Sequence, residues 1–284
     1  MKRIFYPLKL LFFVLVSFTA GNDYYLLAEN FFLHKGDKLN VKIFSGILPQ
    51  KDDYYVSPKP SAPKFELYEG SKKADVPAST KDSILSIPEH EMLNSGLALL
   101  HLTHAPVIHE TESEDYVKHL ETEDMAEAAT KAKSIKDEYI RERYSRFLKT
   151  LVMVDKQSGN VFDKVLGDEY EIVLKNNPYK LNYGDDITGL LYFKGKLLQS
   201  GHVDLYIRTS KGSLYPERFV TDANGQFFFK LSREGIYMLK AVRTEASADK
   251  NADFDTWWTS YTFAFSSANE LPNTYKEFGF GDKH

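Results

Sequence analysis

The stretch 101–109, "HLTHAPVIH", holds His101, His104 and His109 within nine residues. Neutral imidazole is a favoured ligand of nickel, cobalt, copper and zinc ions. Glu110 follows directly and His119 lies nearby in sequence. Five side chains are therefore candidates for a cation site: His101, His104, His109, Glu110 and His119. Positions 101 and 104 differ by three, which on an extended strand puts them on opposite faces. A chelate needs the strand to end near Thr103, and Pro106 supplies a means. The chain has eight histidines, so some clustering arises by chance. The alternative is a set of surface or strand-edge histidines.

Other chemistry is thinner. "DKNADFDTWW" offers Asp249, Asp253 and Asp255 as oxygen ligands for calcium, but their spacing matches no standard loop, and a solvated turn before a strand fits better. "HEMLN" and "HETES" start like a helical zinc motif and lack its second histidine. No Gly-x-Ser-x-Gly elbow, phosphate loop or dinucleotide glycine motif occurs. With no acid–base or nucleophile constellation, the chain is expected not to be an enzyme. "ERYSRFLKTLVMV" at 142–154 carries the cations Arg143, Arg146 and Lys149. They read either as corner-holding charges or as an anion or partner site, since Arg matches carboxylate geometry.

The elements that must position these residues are mostly strands. Leu39, Val41 and Ile43 alternate with polar residues, and "KFELYEG", "DSILSIPEH" and "GLALLHLTH" continue the pattern. At Thr111 it changes. "TESE" reads as a capping box, and charge-laced, Ala-rich sequence with neither Pro nor Gly runs to about Leu148. Tyr139, Arg143 and Phe147 lie four apart, as do Tyr144 and Leu148, which predicts an aromatic helical stripe feeding the strand "LKTLVMV". Beyond residue 168 seven strands are predicted: 170–174, 187–193, 202–208, 214–219, 226–231, 235–243 and 257–265. On the last of these, Trp257 points to the core and Trp258 outward, or the reverse.

The fold class expected is mainly β, with two antiparallel β-sandwich domains. The N-terminal one, residues 22–167, carries a helical insertion at about 111–148. The C-terminal one, residues 168–266, is Ig-like. Residues 267–284 are a flexible tail.

Residues 1–21 read as an export signal: Lys2, Arg3 and Lys9, then the apolar run "LLFFVLVSF", then Thr19, Ala20 and Gly21. Cleavage after Gly21 starts the mature chain at Asn22; the alternative is an uncleaved membrane anchor. The run is too short to span a bilayer, so the mature chain is expected not to span a membrane. Removing three bases and no acids takes the formal charge from −4 to −7, which argues against nucleic-acid partners. There is no cysteine, which excludes thiolate metal sites and Cys nucleophiles.

Several stretches together resemble one family: "NDYYLLAENFFLHKGDKLNV", "KFELYEG", "RERYSRFLKTLVMV", "EIVLKNNPYKLNYGDDITGLLYFKGKLL", "TDANGQFFFKLSREGIYMLKAV" and "DFDTWWTSYTF". They are similar to an uncharacterised bacterial family described as a periplasmic component of cobalt/nickel ABC-type transport. The resemblance covers most of the chain after residue 21. It implies an exported, non-catalytic, β-rich protein handling a nickel or cobalt ion beside membrane transporter subunits, in the periplasm or at the cell surface. Family members open the mature chain with His, in a His-Asp-x-Trp-Leu pattern. Here Asn22-Asp23-Tyr24-Tyr25-Leu26 offers no imidazole at that terminus. The competing expectation is a structural or adhesive module that binds a protein or glycan without metal.

Overall fold

The computed structural model describes residues 24–46, 48, 63–77, 79–81 and 84–277. The expected leader and mature terminus lie outside them. The first half runs β1 (Tyr24–Ala28), β2 (Phe32–Leu33), β3 (Lys38–Ser45), β4 (Lys64–Glu69), β5 (Lys72–Asp75), β6 (Ser79–Lys81), β7 (Ile84–Glu91) and β8 (Gly96–Glu112). Two helices, α1 (Ser113–Thr122) and α2 (Ala126–Lys133), precede β9 (Tyr139–Val154). The second half holds β10 (Tyr170–Leu174), β11 (Asp186–Phe193), β12 (Lys196–Leu197), β13 (His202–Arg208), β14 (Leu214–Val220), β15 (Gln226–Lys230), β16 (Gly235–Ala246), β17 (Phe254–Phe265) and a closing turn of helix, α3 (Thr274–Glu277).

A central sheet of nine strands runs in the order β14-β13-β16-β17-β9-β8-β4-β5, with β2 on β9. It draws strands from both sides of residue 168. Its pairs are antiparallel except β17 with β9 and β2 with β9, which are parallel. A four-stranded sheet, β1-β3-β7-β6, covers one face; β10, β11, β12 and β15 cover the other.

Side-chain alternation divides the two cores. On β8 and β9, Ala98, Leu100, Leu102, Leu148, Val152 and Val154 join the core under β1 and β3. Leu97, Leu99, Phe147, Leu151 and Met153 join the core under β10 and β11. A strand covered on both faces reads as a continuous apolar run, and this is why "LVMV" shows no alternation. β17 is buried along its whole length.

Mainly β architecture and the seven C-terminal strands follow the sequence. Three expectations need correction. The helical insertion ends at Lys133, and 139–148 is strand, continuous with 149–154. Positions four apart share a face in a strand as they do in a helix, so the aromatic spacing fitted both. The capping box does not form: α1 starts at Ser113 with no side-chain cap, and Thr111 belongs to β8. The tail is held down as far as it is described. Tyr275 is buried and its hydroxyl donates to the Leu27 carbonyl at 2.7 Å, while Asn273 donates to Glu29 at 2.9 Å.

Candidate functional site

β8 pairs with β4 so that His101 lies opposite Glu66. The turn before β10 brings Asp168 to the same spot. His101 Nε2 lies 2.8 Å from Asp168 Oδ2, and its Nδ1 lies 3.6 Å from Glu66 Oε2. Thr103 Oγ1 approaches Nε2 at 3.4 Å. On the rim, Lys64 and Lys73 both pair with Glu66, the latter at 2.8 Å. Tyr68 donates to Glu66 at 2.9 Å. Burial alone favours the neutral acid, but the hydrogen bonds from Lys64, Lys73 and Tyr68 outweigh it and hold the Glu66 carboxyl down to about 2. These residues line an open cleft of about 410 Å³. His101 and Asp168 are both almost fully buried at its base.

The three cations of 142–154 have different fates. Arg143 donates to Asp255 Oδ1 at 2.7 Å and Oδ2 at 3.0 Å, and to Asp249 at 2.9 Å. Lys149 donates to Glu171 at 2.6 Å inside the core. Arg146 has no carboxylate partner among the described residues. Its guanidinium lies between the rings of Tyr24, at 3.9 Å, and Tyr144, at 4.0 Å.

The five candidate ligands are not gathered into one site. His101 faces Asp168 on the β10 side of the central sheet. His104 lies on the opposite face, stacked on Tyr144 at 6.1 Å, as the three-residue spacing requires. Burial and the neighbouring Arg146 charge push the His104 imidazole down to about 4, so it is neutral. β8 does not end at Thr103; a register shift between His104 and Val107 carries it past Pro106 to Glu112. His109 and Glu110 are exposed on that extension. His119 sits on α1 and stacks on Trp258 at 5.8 Å. Among the described residues no group of three or more His, Asp or Glu has an arrangement able to hold a metal ion.

The acidic trio is likewise engaged. Asp253 takes Arg141 at 3.1 Å, and Asp249 and Asp255 take Arg143. Trp257 and Trp258 do face opposite sides, but neither is outward; both are buried. Trp257 donates to Glu169. Sequence reasoning missed Glu66 and Asp168, since nothing local signals that a residue 67 positions away meets His101.

A larger groove of about 670 Å³ lies between α2 and the β13–β16 strands. Two of the cations that line it are paired: Arg218 with Asp204 and Asp124, and Arg243 with Glu245.

The fold and these sites define a layered β protein with a buried polar network and an open cleft at His101. A family model described as a domain of unknown function, DUF4198, matches residues 20–245, and the chain belongs to that family. No curated protein matches. Among solved structures, a tetra-tandem repeat from the extending region of a large adhesion protein is similar at 9% identity and a TM-score of 0.22, over 86% of this chain and 49% of that one. The chain thus spans about half that structure's length. The D0-D1 domain of intimin is similar at 11% identity and a TM-score of 0.22, over 86% of this chain and 98% of that one. Scores at this level carry no argument about function. No helix among the described residues is long and apolar enough to cross a membrane.

Proposed function

We propose that this chain is an exported, non-catalytic accessory protein that takes a divalent transition metal ion, nickel or cobalt, in the cleft at His101. One observation supports this most: His101 Nε2 and Asp168 Oδ2 lie 2.8 Å apart at the base of an open cleft. The contact is a hydrogen bond without metal, and two cis ligands of an octahedral ion, each about 2.0–2.2 Å from it, sit at roughly that separation. Glu66 Oε2 lies 3.6 Å from Nδ1, too far for a hydrogen bond but on the side from which a carboxylate would orient a ligating imidazole. Two protein ligands in an open cleft suit transient capture and transfer to membrane transporter subunits better than storage. The leader-like residues 1–21 and the family resemblance support a periplasmic or surface location.

A second reading is a structural or adhesive module that binds a protein or glycan. One observation favours it: Lys64 and Lys73 already neutralise Glu66, so a cation would enter beside two ammonium groups.

Calorimetric titration of residues 22–284 with Ni²⁺, Co²⁺, Cu²⁺ and Zn²⁺ separates the two. The metal reading expects micromolar or tighter binding of at least one ion, lost in His101→Ala and in Asp168→Asn and retained in His109→Ala. Absence of binding heat for every ion rejects it in favour of the structural reading.

A further inference from the structure

We propose that Arg146, His104, Trp258 and Ser260 form a site for the carboxylate of a small exogenous ligand. Arg146 is only 4% exposed, and its Nε makes no hydrogen bond among the described residues. Buried charges are paired as a rule, because an unpaired ion loses its hydration without return. Here the surroundings are also unpartnered. His104 and Trp258 are the register partners of Arg146 on the flanking strands, and Ser260 is the next residue on the same face of β17. Both His104 nitrogens, Trp258 Nε1 and Ser260 Oγ are buried without hydrogen-bond partners among the described residues. This set is rich in donors and contains no acid. Lys240 lies 5.6 Å from the Trp258 ring, but Glu123 neutralises it, so one positive charge remains for one negative charge.

Shape selects the class of anion. The guanidinium is held between two aryl rings, so a partner must approach in its plane. A planar carboxylate does so with two parallel hydrogen bonds; a phosphate can form the same pair, but its two other oxygens stand out of that plane, toward the rings. Tyr24, Tyr144 and His119, each in ring contact with a member of the set or with Arg146, are half-buried. The metal reading is not needed for this site, which lies on the other face of the sheet from His101.

The test uses residues 22–284 and follows tryptophan fluorescence while acetate, succinate or phosphate is added at constant ionic strength. Trp257 and Trp258 are the two tryptophans, so half of the emitters border the site. A saturable change with acetate or succinate, weakened about tenfold or more in Arg146→Met, is expected. Arg146→Met is expected to fold, since it removes an unpaired buried charge, and thermal unfolding verifies this. If it does not fold, Ser260→Ala and His104→Gln, each weakening the response, take its place. An equal response in a folded Arg146→Met, a response to phosphate alone, or no response would overturn the proposal. Asp23, one residue before Tyr24, is the nearest in-chain carboxylate in sequence. A response seen only in Asp23→Asn would assign the site to the chain itself and likewise overturn a free ligand.

Discussion

Lys149 and Glu171 form an ion pair that joins the central sheet to the sheet covering it. The Lys149 Nζ donates to Glu171 Oε1 at 2.6 Å and to the Ile172 carbonyl at 3.1 Å, and both charged side chains are 1% exposed. Glu171 also accepts the backbone N–H groups of Leu166 and Gly167, at 2.6 and 3.0 Å. The carboxylate therefore fixes the loop that also places Asp168 against His101.

Breaking one half of this pair leaves the other charge buried alone. Lys149→Met is expected to destabilise the protein by about 3–5 kcal/mol in urea unfolding. Adding Glu171→Gln should recover part of that loss, because a neutral amide oxygen still accepts from Leu166 or Gly167. A double variant no more stable than Lys149→Met would contradict the assignment.

The same strand shows where sequence reasoning stopped. Tyr139, Arg143 and Phe147 share one face, and Tyr144 and Leu148 the other, because odd and even positions diverge on a strand. On a helix each set would line its own short stripe, the two side by side. Spacing by four cannot decide between them. What decided was burial on both faces, which depends on β1 and β10 and is invisible locally. The C-terminal strands were legible because their hairpin turns punctuate them, as at "TDANG", where Asp222 accepts from Asn224 and Gln226 at 2.8 and 2.9 Å. His101 was legible as a candidate by residue type. Its partners Glu66 and Asp168 were not, since tertiary pairing alone brings them there.

His104 gives a pH signature. Its folded-state value is depressed from 6.5 to about 4, by burial and then by Arg146. The unfolded chain binds the proton more readily in that window, so stability is full above pH 6.5 and falls as pH drops toward 4. The loss should be on the order of 1–3 kcal/mol. His104→Gln should flatten this limb when unfolding free energy is measured against pH. A wild-type profile level between those values would show that His104 does not resist protonation.

Gly189 on β11 lies under the Phe227 ring, and a methyl group there would overlap it. Phe227 stacks on Phe229 at 6.1 Å and belongs to the core beneath β10. Gly189→Ala is therefore expected to lower stability by about 1–3 kcal/mol through overpacking, with a drop in thermal midpoint. Restoring space with Phe227→Leu in the same chain should return part of it. Two losses that simply add would mean the clash is relieved elsewhere.

Asp249, Asp253 and Asp255 look like calcium ligands in sequence, yet Arg141 and Arg143 occupy them. An ion entering there would have to displace two guanidinium groups already held by several hydrogen bonds. Millimolar calcium is expected to leave the thermal midpoint unchanged. Arg143→Ala should loosen the turn at 247–253, seen as faster amide exchange at Ala252 and Asp253, whose N–H groups donate to Asp249 and Arg141 carbonyls at 3.2 and 2.7 Å. The same variant frees two carboxylates, so calcium should then raise its midpoint. A calcium effect on the wild type, or none on Arg143→Ala, would show that the arginines are not what excludes the ion.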